Sequence, residues 1–176
     1  YEIAGGLGVK MADPEREVRV MVGDGSFLMM HTEIVTMVQE GIKVNIIVLD
    51  NHGFASIGGL SKSVGSDGFG TKYRYRTESG HLDGETLPID FAKNCESLGA
   101  HVIRAKDREE FSRAMQEAKG IKGGPVCIVT EVDRRQRVDG YGSWWDVPVA
   151  EVSESESVKQ ARAAYVAYKE RESYYQ

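Results

Sequence analysis

The sequence predicts an α/β fold: a doubly wound parallel sheet with helices on both faces, followed by a C-terminal extension that carries a helix. Three observations support this. Strand-like and helix-like segments alternate along residues 1–133, the order that builds a parallel sheet. Two strand segments, KVNIIVLD (Lys43 to Asp50) and GPVCIVTEVD (Gly124 to Asp133), are nearly continuous apolar runs, as expected of strands covered on both faces. Glycines and capping acids punctuate the helical segments where helices start and stop.

The elements follow in order. YEIAGGLGVKMA reads as a helix whose Ala4, Gly5, Gly6 and Gly8 permit close packing on a neighbour. After the turn ADPERE comes a short β-branched strand, VRVMVG (Val18 to Gly23). Residues 26–40 place Phe27, Met30, Ile34, Met37 and Val38 at a period of 3.6, one helix ended by Gly41. The strand Lys43 to Asp50 follows. Residues 51–85 are rich in Gly and Ser without clear periodicity, and a loop of that length in a compact domain is usually functional. Regularity returns with a helix over Pro88 to Gly99, with Asp90 near its start, and a strand over Ala100 to Ala105. The helix of Asp107 to Gly120 opens with Asp107 and, three residues on, Glu110, a capping-box pattern. The strand Gly124 to Asp133 closes the series. We expect 1–133 to be one ligand-binding domain. We expect 134–176 to be an extension, ending in a helix from about Ser155 to Tyr175, that packs on this domain or on a partner chain.

Bulk properties narrow the function. The chain has 176 residues and a net charge of −5, from 22 basic and 27 acidic residues. That balance argues against nucleic acid as a partner. No apolar run approaches the roughly 18 to 20 residues of a membrane span, and no secretory signal is present. Cys95 and Cys127 have no metal-site spacing, so we expect reduced thiols in a cytoplasmic protein. Position 1 is Tyr, already in a helical segment, which suggests the C-terminal piece of a larger protein.

In an open parallel sheet, ligands bind at the carboxyl ends of the strands. Asp24, Asn51 and the 51–85 loop all fall there. Gly25, Ser26 and Phe27 begin a helix after a glycine turn, and such a turn offers N–H groups to a phosphate. The Asp24 carboxylate would repel that phosphate unless a divalent cation lay between them. Mg²⁺ takes hard oxygens in an octahedron, few of them protein carboxylates. Asp24 can supply one, Asn51 an amide oxygen and Gly53 a backbone carbonyl. A dinucleotide site is disfavoured. Gly23-x-Gly25 lacks its third glycine, position 28 being Leu28, and Asp24 would face a pyrophosphate unscreened.

GDG (Gly23 to Gly25), then 24 residues (26 to 49), then Asp50-Asn51 resembles the signature of thiamine diphosphate (ThDP) enzymes, in which the closing pair is Asn-Asn. The resemblance implies that Asp24, Asn51 and the Gly53 carbonyl hold Mg²⁺, and that Gly23, Gly25 and Ser26 belong to the diphosphate turn. YEIAGGLGVKMA, GDGSFLMMHTEI, FGTKYRYR, DFAKNCESLGA and GYGSWWDVPVAEVSESESVKQAR together resemble one subfamily, the hydrolases that open a trihydroxycyclohexane-1,2-dione ring in myo-inositol breakdown. The resemblance implies hydrolytic C–C cleavage to a 5-deoxy uronic acid, a dimer or tetramer, and an activating Glu on an N-terminal pyrimidine-binding domain of a partner chain. It names no ylid-forming base in this sequence, so the chain alone is expected to have no turnover. The alternatives are a 2-oxo acid decarboxylase or acetolactate synthase-like carboligase, which would share every metal and diphosphate residue, and a non-catalytic module that has lost the cofactor.

His31 follows the diphosphate turn and is the one candidate in this chain for contact with the reacting centre; a capped core histidine is the competing reading. His52 lies between two proposed ligands, where a structural or substrate-edge role outweighs metal binding. His81 and His101 carry no signal. KYRYR (Lys72 to Arg76) suits a polyhydroxylated substrate or a partner subunit better than nucleic acid. Trp144 and Trp145 read as packing anchors or as residues closing the site.

Overall fold

The structure, a computed structural model, describes residues 1–68, 70–134, 136 and 152–171. The chain divides into two compact units, Tyr1–Gly53 with Thr86–Asp133, and Phe54–Glu85 with Arg134–Gln176.

The first unit is built on four parallel strands, β1 (Arg19–Gly23), β2 (Asn45–Asp50), β3 (His101–Ala105) and β4 (Val126–Glu131), in the order β1-β2-β4-β3. The two near-continuous apolar runs are the two central strands. The helices are α1 (Glu2–Ala12), α2 (Asp24–Met29), α3 (Glu33–Gln39), α5 (Phe91–Ser97) and α6 (Arg108–Gly120); α4 (Ala55–Ser63) belongs to the second unit. Because alternate residues of a strand face opposite ways, β2 feeds two layers. Ile47 joins Val126, Ile128 and Ala105 in a core closed by Ala114 and Ala118 of α6. Ile46 and Val48 face the other way, and Phe27, Ile3, Ile34, Met37, Phe91 and Cys95 are also wholly or almost wholly buried. On β1 only one face is covered: Val20 and Val22 are buried while Met21 is exposed.

The predicted caps form. Asp90 accepts from Lys93 N–H at 3.0 Å and Asp107 from Glu110 N–H at 2.8 Å. The Glu110 carboxylate reaches back one residue beyond the cap, to Lys106 N–H at 2.8 Å. Gly41 has φ +63, and Ile42 N–H reaches the Met37 carbonyl at 2.8 Å, the left-handed stop that glycine permits. Of the three glycines in α1, only Gly6 is needed for packing. A Cβ there would lie 2.3 Å from Val20 Cγ2, whereas at Gly8 nothing lies within 4 Å. Cys95 and Cys127 are free and buried; the neighbouring Cys95 and burial both push the Cys127 thiol upward.

Two expectations need correction. The single helix over 26–40 is two, α2 and α3, separated at Met30 to Thr32. Met30 closes α2 with φ −158 and ψ 68, so the apolar period of 3.6 survives a break that periodicity cannot detect. The 51–85 segment is not all loop, since it contains α4. ASIGGLSKS has no apolar stripe and two glycines, which hid the helix from pattern reading.

In the second unit, α4 is covered by its own following loop. A Cβ at Gly58 would meet Thr71 Oγ1 at 2.7 Å, and Phe54 N–H donates to the Thr71 carbonyl at 3.0 Å. Helix α7 (Glu156–Lys169) has no fully buried residue. Along it Val158, Ala161 and Tyr165 are half-buried, while Ala164 and Tyr168 are exposed. Ser157 Oγ donates to the Gly65 carbonyl at 2.8 Å. Trp144 and Trp145 lie outside the described residues.

Candidate metal-diphosphate site

The tips of β1 and β2 are adjacent because the strands pair in parallel, with Gly23 opposite Leu49. The chain therefore delivers Asp24 and Asn51 to neighbouring positions. Gly23, at φ −73 and ψ 154, is the N-cap of α2, and Asp24 is its first helical residue. The Asp24 side chain is 0% exposed. Its Oδ1 accepts from Gly25 N–H at 2.8 Å; its Oδ2 accepts from Asn51 N–H at 3.0 Å and from Gly53 N–H at 2.9 Å. A carboxylate has about four acceptor positions, so three backbone donors leave it held but not saturated. Ser26 follows on the same short helix.

Asn51 presents its side-chain Oδ1 in a buried position with no hydrogen-bond partner. A buried acceptor without a donor is costly. The backbone N–H of the same residue donates to the Asp24 carboxylate, which is wholly buried and accepts from three backbone N–H groups. One carboxylate and one unpartnered amide oxygen at neighbouring strand ends are hard donors of the kind Mg²⁺ takes, with a single charge between them. The residues present therefore fit the group that the signature implies. Gly25 N–H, expected to face the diphosphate, is engaged by Asp24 in this structure.

Asp50 precedes Asn51, and its carboxylate is pushed up to about 6. Burial is the main cause; the N–H of His52 pulls the other way, and the nearby Asp24 carboxylate adds to the rise. The His52 ring meets two carboxylates. Its Nδ1 lies 3.2 Å from Asp50 Oδ1 and its Nε2 2.9 Å from Glu131 Oε1. Sequence reading missed Glu131. It ends an apolar strand like many surface acids, and only the register that pairs Asp50 with Glu131 brings it to this edge.

His31 lies between α2 and α3 rather than inside a helix. Its ring stacks on Phe27 with centroids 4.8 Å apart, and Phe27 meets Phe91 edge-on at 5.9 Å. Its Nδ1 is buried and unpartnered, so the residue combines a packed ring with an unused polar atom. In the second unit, Lys72, Arg76 and His81 line a cavity of about 430 Å³ with Ser153 and Ser155. Arg74 donates to the Gly84 carbonyl at 3.2 Å. His101 is exposed at the start of β3.

Residues 1–130 match the family described as thiamine pyrophosphate enzyme, C-terminal TPP binding domain. A 3D-(3,5/4)-trihydroxycyclohexane-1,2-dione hydrolase of Clostridium botulinum (strain Alaska E43 / Type E3) is 47% identical over 162 residues, covering 92% of this chain and 25% of the relative. The protein of that description from Geobacillus thermodenitrificans (strain NG80-2) is also 47% identical, with the same coverage. The chain thus spans about a quarter of the length of the curated relatives it matches. Among solved structures, a thiamine diphosphate-dependent 4-hydroxybenzoylformate decarboxylase from Rhodococcus jostii RHA1 superposes with a TM-score of 0.60 at 26% identity, covering 75% of this chain and 23% of that one.

Proposed function

The chain belongs to the thiamine pyrophosphate enzymes, as their C-terminal TPP-binding domain, and from that premise we propose that it holds the metal-diphosphate half of a ThDP site in a hydrolase of cyclic 1,2-diones. Asp24 and Asn51 would bind Mg²⁺ through their side-chain oxygens and Gly53 through its carbonyl, while Gly23, Gly25 and Ser26 form the turn around the diphosphate. The cofactor, when bound, supplies the electron sink for C–C cleavage; the protein supplies position and electrostatics. Asp24, fixed by three backbone N–H groups, presents one charge in a fixed direction. Phe27 stacks on the His31 ring and is itself met edge-on by Phe91, and the unpartnered His31 Nδ1 is the candidate of this chain for contact with the reacting centre.

The observation that carries the metal reading is the buried, unpartnered Asn51 Oδ1 beside the wholly buried Asp24. Its test is Asp24→Ala in the intact protein, followed by calorimetric titration with ThDP and Mg²⁺. We expect affinity to fall at least about tenfold, the usual cost of disturbing a metal site. Unchanged binding would remove Asp24 from the ligand set.

The substrate reading rests on the hydrolases, 47% identical over 92% of this chain; the decarboxylase is a more distant neighbour at 26%. Ring opening of a trihydroxycyclohexane-1,2-dione to a 5-deoxy uronic acid by the intact protein supports it, whereas CO₂ release from pyruvate supports the decarboxylase or carboligase alternative. We place residues 1–133 as the cofactor-binding domain and 134–176 as an extension on it or on a partner chain. The activating Glu is assigned to an N-terminal domain of a partner subunit in a homodimer or homotetramer. No described helix is long and apolar enough to cross a membrane, and the two free thiols suit a cytoplasmic setting.

A further inference from the structure

We propose that His52 is a positioning residue: its imidazole, held between the Asp50 and Glu131 carboxylates, fixes the backbone of residues 51–53 in the form that brings Asn51 and Gly53 to Asp24. This inference rests on the reading of Asp24 and Asn51 as metal ligands.

Among the described residues His52 is the one non-glycine with positive φ, at 58°, and Gly53 after it has φ 144°. L-residues avoid the left-handed region because Cβ crowds the following carbonyl, so a histidine there has to be held. The consequence of releasing it is local. Asn51 N–H and Gly53 N–H converge on one atom, Asp24 Oδ2, at 3.0 and 2.9 Å. They flank His52 and can converge only while the chain reverses at that residue. A return of His52 to an ordinary φ would swing at least one of them, and with it the Asn51 side chain or the Gly53 carbonyl, away from Asp24.

The hold has two ends. Asp50 Oδ1 accepts His52 N–H at 3.0 Å, the local turn that Asp favours, and lies 3.2 Å from His52 Nδ1. At the other end His52 Nε2 lies 2.9 Å from Glu131 Oε1. Asp50 and Glu131 face each other across β2 and β4. Like charges directly opposite on neighbouring strands repel; an imidazole between them donates to at least one in any protonation state. This also accounts for Asp50 where the family signature has Asn. Glu131 is 72% exposed, and ion pairs to so exposed a group add little to stability. The purpose of the clamp is therefore geometric, and its loss should register in metal affinity more than in melting temperature.

The test measures the Kd of Mg²⁺ in the intact protein at saturating ThDP, together with the melting temperature of the apoprotein. His52→Asn keeps a residue that tolerates the left-handed region but cannot span both carboxylates. Glu131→Ala removes the far anchor at an exposed position where folding is safe, and Glu131→Gln retains an acceptor. We expect His52→Asn and Glu131→Ala each to raise the Mg²⁺ Kd about tenfold or more, as outer partners of metal ligands do. The double variant should be no weaker than His52→Asn alone, and Glu131→Gln should restore near wild-type affinity, all with apoprotein melting shifted by only a few degrees. If His52→Asn and Glu131→Ala bind Mg²⁺ like the wild type while Asp24→Ala loses it, the clamp is wrong and the metal site stands. A lowered melting temperature with unchanged Kd would make His52 merely structural and overturn the proposal. An effect of His52→Asn without one of Glu131→Ala would overturn the two-ended hold. Unchanged binding in Asp24→Ala would remove the metal site and the clamp together.

Discussion

Gly6 and Gly8 lie two positions apart on α1 and should respond to alanine in opposite ways. At Gly6 a methyl would overlap Val20 Cγ2, 2.3 Å away, and Val20 is buried in β1. Overpacking of this kind costs about 1–3 kcal/mol, more than the roughly 1 kcal/mol that alanine gains over glycine in a helix. Gly6→Ala should therefore lower stability in urea unfolding. At Gly8 the space is open, so Gly8→Ala should raise stability by up to about 1 kcal/mol. The reverse order would mean that α1 does not lie against β1 as described. At the site, Asp24 and Asn51 show the same dependence on neighbours. Neither residue type is unusual; burial and the missing partner on Asn51 Oδ1 make the pair informative.

The helices of the first unit are defined by their ends. Asp107 caps α6 through Glu110 N–H, and Asp107→Ala should cost about 1 kcal/mol. Asp90 caps α5 and also receives two bonds from Arg104 Nη2, at 2.7 and 3.0 Å, linking the helix start to β3. The Lys93 N–H first, and then Arg104, hold the Asp90 carboxyl at about 2, below its ordinary 3.8. A depressed folded-state value means that the stabilisation is complete above the ordinary value and is lost as pH falls through the folded one. The stability difference between wild type and Asp90→Ala should accordingly hold steady from neutral pH down to about 4 and shrink toward zero near pH 2. A difference that persists at pH 2 would show that the cap acts without its charge. Lys43 secures the other end of α6, with Nζ donating to the carbonyls of Ala118, Lys119 and Ile121. No sequence rule pairs Lys43 with a helix end so far along the chain.

For the molecule as a whole, the chain covers a quarter of the length of its hydrolase relatives, and our proposal assigns the activating Glu to a domain other than this one. We predict that this chain alone, supplied with ThDP, Mg²⁺ and a cyclic dione, gives no ring opening by product analysis; turnover would place the complete machinery within it. The sheet, its strands and the capped helices were legible in the sequence because apolar runs, capping acids and glycine stops act over a few residues. The break between α2 and α3 was not, since the buried positions Phe27, Ile34 and Met37 keep a helical spacing across it. Helix α4 was not, since ASIGGLSKS has neither periodicity nor a capping acid. The residues nominated for metal were legible from two short segments, GDGS and DNHGF. By itself the sequence determined which residues stand at the strand ends, because local patterning ends a strand and spacing along the chain repeats. Tertiary structure decided which strand ends are neighbours. The β1-β2-β4-β3 order puts Asp24 beside Asn51, as the spacing of the two segments implied, and Glu131 against His52, which no local pattern could show because only the pairing of β2 with β4 sets Asp50 opposite Glu131.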